Sequence, residues 1–116
     1  MSIVNLTQHA ATPGQLNAGV VDHQDREKLS RLLTFDVIPS SQEVTCRARS
    51  IALMADGADA AMIGGAPFLM EPLAVALRMI GVVPMYAFSV RASVEEVQAD
   101  GSVKKSAIFK HAGFVS

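Results

Sequence analysis

Two histidines, His9 and His111, are the side chains of this sequence best suited to moving protons near neutral pH. His9 closes the polar run Asn5-Leu6-Thr7-Gln8-His9, which follows the apolar pair Ile3-Val4. His111 closes Phe109-Lys110-His111 near the other end of the chain. Arg91 and Lys110 offer a bidentate fork and a point charge to a phosphate, and Ser89 adds a hydroxyl on the face of Arg91. Gly64-Gly65, ahead of a predicted helix, presents backbone N–H groups and a positive dipole end. The chemistry indicated is anion binding by Asn5, Thr7, Gln8, Gly64, Gly65, Ser89, Arg91 and Lys110, with His9 and His111 as acid–base candidates.

Each of these groups also has a plainer reading. Gly64-Gly65 is neither a G-x-G-x-x-G fingerprint nor a Walker loop, and serves equally as a tight strand-to-helix turn. Arg91 and Lys110 can be solvated edge-strand charges that discourage aggregation. His9 fits a surface loop or a helix cap, and His111 fits a packing role. The third histidine, His23, shares no metal-ligand spacing with the others, so neither a metal nor a cofactor is expected. Cys46 has no evident base partner and is expected to be buried, and Ser89 lacks a nucleophile-elbow context.

The elements that must position these groups alternate between strand and helix. Ile3–Leu6 reads as a first strand, and Thr12-Pro13 as the cap and first residue of a short helix ending at Gly19. Residues Asp22–Leu33 form an amphipathic helix with Leu29, Leu32 and Leu33 inward, and Thr34–Ile38 a possible short strand before Pro39. A helix follows from Ser40 to about Ala55 on the face of Val44, Ala48, Ile51 and Ala52. Ala58–Ile63 suits a central buried strand. Pro67–Ile80 is a helix apolar almost all round, expected to be largely buried, with Pro72 moving its true start toward Glu71. Gly81 caps it, and Val82–Val97 is the last parallel strand. Asp100-Gly101 then turns an antiparallel hairpin, and a two-residue turn there sets Arg91 opposite Lys110 and Val90 opposite His111. Alternation of this kind implies right-handed crossovers and a single three-layer, Rossmann-like α/β domain over residues 1–116, a mostly parallel sheet extended by a C-terminal β-hairpin. Ligands of such sheets bind outside the carboxyl ends of the strands, where these polar and glycine-rich runs fall.

Composition narrows the function classes. A chain of 116 residues, half of them hydrophobic, builds one core and is not disordered. A net charge of −1 supplies no global field for duplex nucleic acid, so any anion site is local. The lone cysteine excludes an internal disulfide and fits a reducing cytoplasm, and no apolar run reaches the length of a membrane span.

The C-terminal pattern Gly81-x-x-Pro84-x-Tyr86-Ala87, Arg91, Asp100-Gly101, Lys104 and Phe109-Lys110-His111 resembles small stand-alone CRISPR-associated proteins with a CARF-like, Rossmann-like domain. The openings Leu6-Thr7-Gln8-His9 and Thr12-Pro13-x-Gln15 are similar to that family as well. Two departures stand out: Phe88-Ser89 replaces paired threonines before Arg91, and a basic-aromatic ending is missing. The resemblance implies a ring nuclease-like protein that binds, and can cleave without a metal, a cyclic oligoadenylate second messenger. It also implies a two-fold homodimer around a symmetric ligand. In that chemistry the ribose 2′-hydroxyl attacks its own phosphate, and the protein aligns it and stabilises the developing charge. The alternatives are a non-catalytic nucleotide- or phosphate-binding module and a protein that docks a partner through its hairpin or apolar helix.

Overall fold

A computed structural model describes all residues, Met1–Ser116. Strand β1 (Ile3–Asn5) leads through α1 (Pro13–Asn17) to β2 (Val20–Asp22), and the helices α2 (Arg26–Leu33) and α3 (Ser41–Leu53) follow. Then come β3 (Ala60–Met62), α4 (Pro67–Met79), β4 (Val83–Val97) and β5 (Val103–Val115). The sheet order is β2-β1-β3-β4-β5, parallel except for the β4–β5 hairpin. The chain moves from β1 outward to β2, then crosses back over β1 to β3. The strand order therefore reverses between β1 and β3.

The two sheet faces are covered unequally. Leu6, Ala61, Ile63 and Val82 pack with Ala48, Ile51 and Ala52 of α3 and Leu69, Leu73 and Leu77 of α4 in the main core. Ile3, Val20, Ala60 and Met62 form a smaller core on the other face, against Ala11, Met85 and Phe114. Local sequence sets the helix ends. Thr12 and Gln15 form a reciprocal capping box at α1, Asp25 caps α2 by accepting from Lys28 N, and Ser40 caps α3 by accepting from Glu43 N. At the end of α4, Gly81 N donates to the Arg78 carbonyl and Val82 N to that of Leu77, with Gly81 at φ 77°. This is a Schellman closure, with Val82 packed over Leu77.

Several expectations are corrected. Val20–Asp22 is a strand, and the helix begins only at Arg26, because Asp25 is the cap. Thr34–Ile38 makes no strand; Phe35 instead packs edge-on against Phe68 at 5.0 Å, with the Arg47 guanidinium stacked 4.3 Å above its ring. Helix α4 starts at Pro67 and contains Pro72. It buries only the stripe of Leu69, Leu73, Ala74 and Leu77, leaving its other side in solvent. Cys46 is exposed on α3. Strand β4 pairs in parallel only over Val83–Met85, since β3 is three residues long.

The hairpin register differs as well. Gln98 N donates to Ser102 O and Gly101 N to Gln98 O, with Gly101 at φ 86°, so the loop is Ala99-Asp100-Gly101 rather than two residues. Arg91 consequently pairs with Phe109, and Lys110 with Val90. Side chains alternate across a strand, so Arg91 and Lys110 occupy opposite faces and cannot clamp one phosphate. A bulge between Phe88 and Ser89 then leaves Ala112 unpaired and brings Phe114 onto the His111 face, with the ring centroids 4.9 Å apart.

Candidate functional site

The reversal between β1 and β3 opens a crevice of 570 Å³ beyond the carboxyl ends of these strands. Its walls are the loop after β1 (Thr7, Gln8, His9, Ala10), the start of α1 (Thr12, Gln15), the end of β3 and its loop (Met62, Ile63, Gly64, Gly65), and Tyr86-Ala87 of β4. No carboxylate, lysine or arginine lines it. A larger hollow of 800 Å³, walled by Phe35, Val37, Ile38, Phe68 and Pro72, is mainly apolar and shares no residue with the crevice.

The β1 loop owes its shape to a buried polar residue behind it. Asn5 is fully buried, and its Oδ1 accepts from Thr7 N at 2.8 Å and from Thr7 Oγ1 at 2.7 Å. Its Nδ2 donates to His9 O at 2.8 Å and to Asp22 Oδ1 at 2.7 Å. Asp22 Oδ1 also accepts from Ala11 N at 3.0 Å, and Arg26 lies 3.6 Å away while donating through Nη2 to Gln8 O at 2.9 Å. The loop is thus held by three side chains, two of them on the neighbouring β2–α2 segment. The bond from Asn5 is the largest influence holding the Asp22 carboxyl below the usual carboxylate range, followed by the Ala11 amide; Arg26 adds to it.

This scaffold determines which groups face a ligand. The Thr7 hydroxyl lies within hydrogen-bond distance of Asn5 Oδ1 and His9 O, so it belongs to the scaffold. Gln15 closes the α1 cap, its Oε1 accepting from Thr12 N at 3.0 Å. The Gln8 amide, the His9 ring and the Tyr86 hydroxyl make no hydrogen bond within the protein and lie on the crevice wall. Gly65 has φ 144°, a backbone conformation that suits glycine. A Cβ on Gly64 would stand 3.6 Å from the Thr7 methyl, an ordinary contact.

Of the residues predicted from sequence, Thr7, Gln8, His9, Gly64 and Gly65 are brought together here. Asn5 is a positioning residue beneath the wall rather than a ligand contact. Ser89, Arg91 and Lys110 are exposed on the hairpin outside the crevice. His111 lies outside it too; its Nδ1 is buried without a partner, and a Cβ on Gly14 of α1 would stand 3.1 Å from its Cβ. The two histidines therefore do not meet as an acid–base pair around one ligand in a single chain. Sequence reasoning missed Thr12, Gln15 and Tyr86 as wall residues, although the Thr-x-x-Gln capping spacing marks where α1 begins. No group of three or more His, Cys, Asp or Glu side chains is placed to hold a metal ion. No helix is long and apolar enough to cross a membrane.

A family model described as "Uncharacterized protein MJ1673 family" matches residues 1–115 of the chain. Neither a curated protein nor a solved structure gives a significant match.

Proposed function

The chain belongs to the MJ1673 family, and we propose that it binds a phosphate-bearing nucleotide in the crevice between β1 and β3. Cyclic oligoadenylate is the ligand that the sequence resemblance implies. One observation carries the reading: a crevice at the strand-order reversal is free of carboxylates in a chain with eleven acidic residues, and it presents uncommitted donors on three sides. Gln8 and His9 come from the β1 loop, Tyr86 from β4, and the Gly64-Gly65 backbone from the β3 loop. Phosphate oxygens accept from such groups, and the Tyr86 ring offers a face on which a base can stack.

The arrangement favours binding over turnover. Cleavage by the ribose 2′-hydroxyl needs alignment and a place for the proton, and His9 is the one imidazole on the wall. The test is calorimetric titration with cyclic tetra-adenylate in EDTA, with chromatography of the ligand afterwards. Binding without linear products is expected. His9→Ala and Tyr86→Ala should each raise Kd by about tenfold, equivalent to about 1.4 kcal/mol, while Arg91→Ala and Lys110→Ala leave it unchanged. Linear products that vanish in His9→Ala would make the chain a ring nuclease. No heat with cyclic oligoadenylates, AMP or inorganic phosphate would refute the reading.

A further inference from the structure

The solvent side of α4 carries an apolar stripe of its own. Helical spacing sets Phe68, Pro72, Val75 and Met79 in one stripe, opposite the buried Leu69, Leu73 and Leu77. Phe68, Val75 and Met79 are 51%, 47% and 78% exposed. The stripe continues at both ends. Beside its start, the loop carrying Val37 and the 98% exposed Ile38 walls the large apolar hollow with Phe68 and Pro72. Beside its end, Leu53, Ala76, Met79 and Ile80 line a recess of 250 Å³ that Arg49 of α3 also borders. Monomeric proteins rarely expose an apolar strip that is continuous along a whole helix; such strips mark an interface.

The charges beside the stripe specify what covers it. Glu71 and Arg78 are seven residues apart, so they lie on the same flank, one on each side of the stripe's midpoint. Both are exposed, and neither takes part in an ion pair. When two identical helices cross antiparallel about a two-fold axis, equivalent flanks face each other with their order reversed. Glu71 then meets the partner's Arg78, and Arg78 the partner's Glu71. A parallel two-fold pair would set the charged flank of each copy beside the uncharged flank of its partner, leaving Glu71 and Arg78 without an opposite charge. The same two-fold operation turns the protruding Ile38 end of one copy toward the Leu53–Ile80 recess of the other.

We propose that this face is a self-complementary interface between two copies of this chain, formed by antiparallel packing of α4 on α4. None of its residues lines the crevice, so it holds or fails independently of the nucleotide reading. Sedimentation equilibrium of the full chain at micromolar concentration should give a dimer. Glu71→Arg and Arg78→Glu each bring like charges together twice, and each should raise the dimer Kd by about tenfold or more. The double reversal, Glu71→Arg with Arg78→Glu, should restore wild-type association. Val75→Asp should give a monomer with an unchanged far-ultraviolet dichroism spectrum. A wild-type chain that stays monomeric, or a dimer indifferent to these reversals and to Val75→Asp, overturns the proposal.

Discussion

Asn5 carries more of the site than any residue that faces a ligand. All four of its side-chain bonds go to the loop that forms the crevice wall or to the carboxylate behind it. Asn5→Ala removes the donor for His9 O and the acceptor for Thr7 N together, and buried groups left unpaired cost about 1–3 kcal/mol each. Urea unfolding should show a loss of about 2–4 kcal/mol, with nucleotide binding lost as the loop relaxes. Asp22 adds a pH dependence. Its carboxyl is held below the ordinary value in the folded chain, so its contribution is complete above the unfolded pKa of about 3.9 and is lost as pH falls through the lower folded value. Stability measured from pH 6 to pH 2 should therefore fall, and Asp22→Asn should flatten part of that decline while lowering stability at neutral pH. Polarity at position 5 and at positions 7 to 9 is legible in the sequence. Which of those groups turn inward is not, because Asp22 and Arg26 complete the network from a different segment.

Among the elements, the caps of α1 and α3 and the end of α4 were readable, whereas the starts of α2 and α4 and the hairpin register were not. Caps are local: Thr12, Ser40 and Gly81 each act within a few residues of their position. Gly81→Ala places a Cβ at φ 77° and should cost about 1–2 kcal/mol in chemical denaturation. Register depends instead on how one glycine closes a loop. With Gly101 in the left-handed region the turn takes three residues, and that single extra residue sends Arg91 and Lys110 to opposite faces. The sequence pairs them only if the turn is assumed to take two. β2 was missed because three residues are too few for an alternation pattern to stand out from the helix that follows. Phe35 and Val37 look strand-like, but their apolar side chains line a helix-flanking hollow and add no edge to the sheet.

The whole molecule is a small core with a long arm. Its radius of gyration is 17.1 Å, against about 13 Å for a compact domain of this length. Beyond Tyr86 the hairpin has almost no buried residue, and Val97, Val103 and Phe109 are exposed on it. An isolated two-stranded ribbon contributes little stability in water. Excising residues 92–108 and joining Arg91 to Phe109 through Asn-Gly should leave the unfolding free energy within about 1 kcal/mol. Scattering should report a radius nearer about 13 Å, and nucleotide affinity should be retained, because the crevice residues lie at the base of the arm.

The sequence by itself determined the α/β class, the capped helices, the buried faces of α3 and β3, and the clustering of Thr7–His9 with Gly64-Gly65, because each rests on periodicity, capping chemistry or strand-end position. Tertiary structure alone decided that Asn5 is scaffold, that Tyr86 joins the wall, that Arg91, Lys110 and His111 stand outside it, and that α4 leaves an apolar side in solvent. Those outcomes depend on strand order, register and the number of layers packed on each face. All three are set by contacts between residues distant in the chain, which local pattern does not encode.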